Sequence, residues 1–170
     1  MKKHLKKHLM ITSLVTICFT GLIIGCSKQS SDRIPFSELG FSVSYEDMVD
    51  KLGEPTSKTE TYLGESYGYP SDYLSMDGQV RYTFDETGNI ASITWLYESV
   101  DGEEITGVYN DIHKQLENTY GKTEEATDNV TQLSDIWRLD SGNITLVALV
   151  SSDYNGIMYT YLTPEHSTAA

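Results

Sequence analysis

Alternation of apolar and polar residues is the feature of this sequence that most restricts its fold. Val80, Tyr82 and Phe84 lie two positions apart, which places their side chains on one face of an extended chain. A run of turn-forming residues follows at 85–89, and an apolar segment resumes over 90–97. Since so short a turn returns the chain beside itself, the two segments predict an antiparallel β-hairpin.

Strand patterns also occur elsewhere in the chain. A weaker strand is predicted over 61–69, where two glycines interrupt the apolar residues. Two of the later segments are joined by a turn of Asp, Ser, Gly and Asn, which again indicates a hairpin. These later strands are predicted over residues 133–139, 144–150 and 157–162.

Two segments instead repeat apolar residues at the three- and four-residue spacing of a helix. The first is predicted over 45–52, with Ser44 as its N-cap and with Gly53 and Pro55 ending it. The second is predicted over 104–119. Few helices beside many strands indicate an α+β fold, in which the helices pack on one face of an antiparallel sheet.

The two halves of the chain are similar to each other. The end of the first helix at Gly53 matches the end of the second at Gly121, an offset of 68 residues. The turn at Gly88 matches the turn at Gly142, an offset of 54, so the first copy is expected to carry a longer stretch before its hairpin. The predicted architecture is two tandem helix-then-strands units that share one sheet, over residues 36–100 and 101–165.

Residues 1–25 are predicted to be an export signal that is removed. Four lysines, and no acidic residue, precede Cys26, and an apolar run over 9–25 ends in a small residue directly before it. This arrangement resembles the lipobox of bacterial lipoproteins. The resemblance implies cleavage before Cys26, acyl chains such as palmitate on this residue, and a place on the extracytoplasmic face of the cell membrane. Two alternatives stay open: a transmembrane helix, for which 17 residues is the lower limit, and an ordinary signal peptide.

The segment 26–35 is polar and is predicted to be a lipidated tether for the domain. Cleavage of the leader removes Cys18, so that Cys26 is the one cysteine that remains in the processed chain. With its thiol alkylated, no cysteine is left for a disulfide or for nucleophilic catalysis. The end of the chain, residues 166–170, is predicted to be disordered.

The charge of the chain is strongly negative and unevenly distributed. The formal net charge is −13, from 12 basic and 25 acidic residues. Removal of residues 1–25 takes four lysines, which leaves 8 basic residues and a net charge of −17. A body of this sign repels phosphate polymers, so we expect no nucleic-acid partner, whereas cations and basic proteins are attracted.

The first helix carries a second resemblance. The helix and Leu-Gly-x-Pro turn of the SmpA/OmlA envelope lipoproteins are similar to residues 41–55, FSVSYEDMVDKLGEP. The doubled helix-then-strands unit resembles β-lactamase inhibitory proteins, over 41–97 and more weakly over 104–162. In the second unit Lys122 and Thr123 stand where the turn of the family has proline. Both resemblances imply a role in binding or assembly rather than catalysis, and neither identifies a partner.

Candidate catalytic and metal-binding residues are few. His113 and Glu117 are spaced to lie on one helical face, as two metal ligands would, but a solvated ion pair explains the same spacing. His166 lies in the predicted tail, and the sequence contains no Gly-x-Ser-x-Gly motif. We therefore expect no enzyme, no metal and no cofactor, although a pair of hydrolytic carboxylates stays open in so acidic a chain.

Large apolar residues occur on both faces of several predicted strands, and one helical layer covers only one of them. The aromatic set is predicted to form an open surface that binds another protein, because exposed Trp and Tyr are enriched at interfaces. Two alternatives stay open: the segment 61–75 folds over this face, or the aromatic set is the core. The predicted surface consists of Trp95, Tyr97, Trp137, Tyr159 and Tyr161.

Together these patterns predict a lipid-anchored, extracytoplasmic lipoprotein that acts as a protein-binding or envelope-assembly module. Its expected partners are the lipid bilayer, through the acyl chains on Cys26, and a protein. The alternatives are a lipoprotein that senses or binds a small molecule and a hydrolase that uses acidic residues.

Overall fold

The structure is a computed structural model, and it describes residues 33–123, 125–129 and 131–167. The predicted leader and Cys26 lie outside these residues. The described part contains three helices and eight strands, and none of its helices combines the length and apolar composition needed to cross a membrane. The helices are α1 (Tyr45–Leu52), α2 (Gly102–Tyr120) and α3 (Pro164–Ser167). The strands are β1 (Ser57–Thr61), β2 (Gly64–Tyr73), β3 (Met76–Phe84), β4 (Ile90–Glu98), β5 (Glu125–Asp128), β6 (Gln132–Leu139), β7 (Gly142–Val150) and β8 (Asn155–Leu162).

All eight strands form one sheet in the order β1-β2-β3-β4-β8-β7-β6-β5. Every neighbouring pair is antiparallel. Four strands follow α1 and four follow α2, and the last strand of each set, β4 or β8, pairs with the other in the middle of the sheet. The predicted α+β class with an antiparallel sheet is therefore confirmed.

The two edge strands, β1 and β5, are additions to the predicted strands. Their sequences, SKTET and EATD, contain charged and hydroxyl residues but no apolar period. Short, charged strands are common at sheet edges, where they discourage pairing with other chains. The segment 64–73 lies in the sheet as β2, so the alternative in which 61–75 folds over a face of the sheet is wrong.

Local chemistry determines where α1 and α2 end. The Ser44 hydroxyl accepts a hydrogen bond from the backbone N–H of Asp47 at 3.1 Å, which satisfies a free donor of the first turn of α1. Gly53 closes this helix at a φ of +82°, and its N–H donates to the Val49 carbonyl at 2.8 Å. Gly121 closes α2 in the same way at a φ of +89°. Both positions favour glycine because other residues rarely adopt a positive φ.

Both helices contact the same face of the sheet, which we call the covered face. The register aligns Tyr69, Trp95 and Asp135 along one row of this face. The Tyr69 hydroxyl donates to the carbonyl of Gly53 at the end of α1, at 3.0 Å. On α2, the Tyr109 hydroxyl donates to Asp135. Successive side chains of a strand point to opposite faces, so the neighbours of these residues along each strand lie on the opposite face, which we call the open face.

The segment before α1 also packs on the covered face. The Phe36 ring lies 4.9 Å from the Tyr159 ring and 5.8 Å from the Tyr73 ring, measured between centroids. Ile34 is buried and belongs to the same core. The packed domain therefore includes Ile34, although the sequence places this residue in the tether over 26–35.

The C-terminal residues described by the structure are also packed. His166, in the segment predicted to be disordered, lies in α3, and its Nδ1 atom hydrogen-bonds to the Thr163 hydroxyl at 2.8 Å. The Asn143 side chain donates to the Ser167 carbonyl at 2.9 Å. The prediction of disorder is thus wrong for 166–167, because these residues find partners in other elements of the fold.

Candidate binding surfaces

The predicted aromatic surface lies on the covered face. Trp95, Trp137 and Tyr159 keep only 0%, 2% and 2% of their surface exposed. The prediction that they form an open surface is therefore wrong, because α2 and the segment before α1 cover them. Side chains so deeply buried cannot contact a partner while the domain is folded.

The other two members of the set are half-buried and help to hold the layers together. Tyr97 stacks on Trp95 with 5.7 Å between ring centroids. Its hydroxyl donates to the Glu104 carboxylate on α2 at 2.8 Å. The Tyr161 and Tyr159 hydroxyls hydrogen-bond to each other at 2.9 Å. Both residues thus belong to the margin of the core.

The open face carries a different apolar set. Leu96, Met158 and Val147 lie side by side on β4, β8 and β7, and we call these three residues the open-face strip. Met158 is 40% exposed, while Leu96 and Val147 are half-buried. In the next row, the Thr94 and Thr160 hydroxyls share a hydrogen bond of 3.0 Å. The strip and this threonine pair carry no formal charge.

A buried polar cluster joins α2 to β6. The Asp135 carboxylate, only 3% exposed, accepts hydrogen bonds from the Tyr109 hydroxyl and, at 2.6 Å, from His113 Nδ1. His113 Nε2 lies 3.6 Å from the Glu117 carboxylate. The predicted pair of His113 and Glu117 thus forms, but the shorter contact is to Asp135. Only the alternation within β6 hinted that Asp135 would be buried.

This cluster has the character of a structural site. Two donors compensate the burial of the Asp135 carboxylate. Burial, and then the hydrogen bond to this carboxylate, raises the pKa of Tyr109, so its hydroxyl remains a donor. A His held by Asp occurs in catalytic triads, but here the other ring nitrogen faces Glu117 rather than a nucleophile. Among the described residues, no group of three or more His, Cys, Asp or Glu could hold a metal ion.

A groove of about 810 Å³ lies beside the start of α1, and we call it the α1 groove. Three packed rings line it, with the Tyr67 ring centroid 4.7 Å from that of Tyr45 and 5.9 Å from that of Phe84. Tyr62, at the turn between β1 and β2, also lines the groove and is 86% exposed. The acidic residues of its wall are Glu60, Glu65, Asp85 and Glu86.

Two of these carboxylates have partners. Lys58 Nζ lies 2.6 Å from Glu65, which also accepts a hydrogen bond from the Tyr67 hydroxyl at 2.5 Å. These two hydrogen bonds, the one from Lys58 first, hold the pKa of Glu65 below its usual value. Asp85 accepts a hydrogen bond from the Thr87 hydroxyl at 2.6 Å, which is the main cause that lowers its pKa, and it lies 3.4 Å from the His166 ring. Both acids therefore stay ionised at neutral pH.

No family model matches the chain, and neither the curated proteins nor the solved structures contain a match to it. The resemblance to SmpA/OmlA lipoproteins and to β-lactamase inhibitory proteins therefore stays a prediction from the motif over 41–55 and from the doubled unit.

Proposed function

We propose that this protein is a lipid-anchored, extracytoplasmic lipoprotein that binds another protein through the open face of its sheet. Acyl chains on Cys26 hold it at the cell membrane, and its role is binding or envelope assembly rather than catalysis. The exposed open-face strip is the observation that carries the proposal.

The open face of an antiparallel sheet is normally polar where water covers it. Here the central strand β8 exposes Met158 between Leu96 and Val147. Exposed apolar patches of this kind mark protein interfaces. The strip is uncharged, and its border is polar: the Thr94 and Thr160 hydroxyls lie in the next row, and Gln79 and Arg81 of β3 lie beside Leu96 and Thr94. An apolar centre with a polar rim suits a protein interface.

We also propose that the two halves arose by duplication of a unit with one helix and four strands. The end of α2 follows the end of α1 by 68 residues, the start of β7 follows that of β3 by 66, and the start of β8 follows that of β4 by 65. Trp137 Nε1 donates to the Gly121 carbonyl at 2.9 Å, just as the Tyr69 hydroxyl donates to Gly53. Tyr69 and Gly53 lie 68 positions before Trp137 and Gly121, respectively.

This spacing changes the proposed correspondence between the halves. The match of Gly88 with Gly142 aligns the turn between β3 and β4 with the turn between β6 and β7. The first of these joins the third and fourth strands of its unit, whereas the second joins the second and third strands. With β4 equivalent to β8, the open-face strip lies where the two units meet. Neither unit alone would then form it.

Site-specific photo-crosslinking in intact cells tests the binding surface. A benzophenone side chain at Met158 should capture a partner protein, whereas the same group at Gln115, exposed on α2, should not. A benzophenone at Leu149, which is 36% exposed on β7 two positions from Val147, should also capture the partner. Adding Met158→Lys to that chain should abolish capture and leave the unfolding temperature nearly unchanged, because Met158 lies at the surface. Equal capture at Met158 and Gln115, or none at Met158, would contradict the proposed surface.

The lipid anchor has its own test. Cells grown with radioactive palmitate should incorporate label into the protein, and Cys26→Ser should remove the label. An unlabelled protein, or an intact mass that still includes residues 1–25, would contradict the anchor without affecting the crosslinking result.

A further inference from the structure

The α1 groove combines aromatic rings with negative charge, on the face opposite the open-face strip. Tyr67 and Phe84 are buried, whereas Tyr45 is half-buried and Tyr62 is almost fully exposed at the groove. An aromatic ring attracts a cation to its face. The groove thus has rings that an incoming cationic side chain can reach.

Carboxylates of the groove wall lie close enough to repel each other when no cation is bound. Glu60 and Glu65 lie directly opposite each other in the register of β1 and β2, so their side chains leave the same face. Like charges in this position destabilise a strand pair. Lys58 pairs with Glu65, but within the described residues neither Glu60 nor Glu86 forms an ion pair. A further cation would relieve this repulsion.

The chain itself shows how an ammonium group fits here. Lys58 Nζ lies 5.3 Å from the centroid of the Tyr67 ring while it contacts the Glu65 carboxylate at 2.6 Å. An aromatic face and a carboxylate together form a cation site, in which the ring adds attraction beyond the charge pair. Tyr62 and Glu60 on the same wall supply the same two kinds of group.

We propose that the α1 groove binds lysine or arginine side chains of an extended basic segment of a partner protein. Charge complementarity identifies the occupant, since the wall holds four carboxylates and the whole chain has a net charge of −13. The four carboxylates belong to β1, β2 and the turn after β3, so a single segment contacts several of them when it is extended. This inference goes beyond the proposed function and uses different residues, so either can fail alone.

Titration calorimetry on the full chain, purified in detergent, tests the proposal. The probe is an acetylated and amidated hexapeptide of alternating lysine and alanine. The double variant Glu60→Gln and Glu86→Gln should weaken binding about tenfold, since each exposed charge contact contributes up to about a factor of five. The control variant Glu103→Gln and Asp111→Asn removes the same charge from exposed positions on α2 and should change the affinity less than about twofold.

A second variant, Tyr62→Ala, removes an exposed ring without loss of core packing and should also weaken binding. Equal weakening by the groove and α2 double variants would show general charge attraction and overturn the proposal, as would no binding of the peptide. Binding of tetramethylammonium chloride as tightly as the peptide would overturn it in favour of a small cation. Met158→Lys should leave the peptide affinity unchanged, which separates this result from the open-face proposal.

Discussion

Removal of the Tyr109 hydroxyl tests the energetics of the buried polar cluster. Asp135 is almost fully buried and accepts hydrogen bonds from Tyr109 and His113. Tyr109→Phe deletes one oxygen atom and keeps the ring that packs in the core. A hydrogen bond to a charged group contributes about 1.5–3 kcal/mol. We therefore expect the free energy of unfolding to fall by about 2 kcal/mol.

Urea denaturation near neutral pH, followed by far-UV circular dichroism, measures this change. The slope with urea concentration should stay the same, because the surface exposed on unfolding hardly changes. Tyr62→Phe is the matched control: it deletes the same atom from a residue that is 86% exposed. Surface substitutions usually change stability by less than about 0.5 kcal/mol.

A double-mutant cycle makes the test specific to the contact. Asp135→Asn alone and together with Tyr109→Phe should show a coupling energy of at least about 0.5 kcal/mol, because the two groups touch. A decrease in the free energy of unfolding for Tyr109→Phe no larger than that for Tyr62→Phe would refute the reasoning. So would additive effects of Tyr109→Phe and Asp135→Asn.

Four further predictions concern the core, the backbone and the acid response. Trp95→Ala should cost about 3–5 kcal/mol in chemical denaturation, and a loss below about 1 kcal/mol would contradict burial of the aromatic set. Gly107→Ala, at an exposed helical site with open space around it, should stabilise the protein by about 0.5–1 kcal/mol. Gly142→Ala should destabilise it in the same assay, since φ is +115° and the new Cβ would lie 2.0 Å from a backbone oxygen. The hydrogen bond from the Thr87 hydroxyl is the main cause that lowers the pKa of Asp85 below 3.8 in the folded protein. The ionised carboxylate therefore stabilises the fold above pH 3.8, and this stabilisation is lost as the pH falls through the folded pKa. Unfolding midpoints measured from about pH 5 to pH 2 should therefore depend less on pH in Asp85→Asn than in the unchanged protein.

Local patterns predicted the elements whose own residues determine them. The helix over 45–52 was predicted with the same bounds as α1, since Ser44 and Gly53 act within one turn of its ends. The hairpin of β3 and β4 was also predicted, because alternation and turn chemistry lie within one short stretch. β1 and β5 were not predicted, since their pairing comes from the neighbouring strand rather than from any apolar period of their own.

The candidate surfaces were harder to predict than the elements. The pattern placed Trp95 and Leu96 on opposite faces, which is correct, but alternation carries no information about which face a helix covers. The buried role of Asp135 was not predicted, because its partners on α2 lie more than twenty residues away in the sequence. The α1 groove brings together β1, β2, the turn after β3 and residues of two helices, and no single window of the chain contains them.

By itself the sequence determined the period of each segment, its ends and the strongly negative charge, since these follow from neighbouring residues and composition. Only the tertiary structure decided that Trp95, Trp137 and Tyr159 face the helices and that Met158 faces outward. The physical reason is that the central strands are apolar on both sides. The choice between the sides therefore depends on long-range packing, in which the larger rings bury more apolar surface against α2 and Phe36.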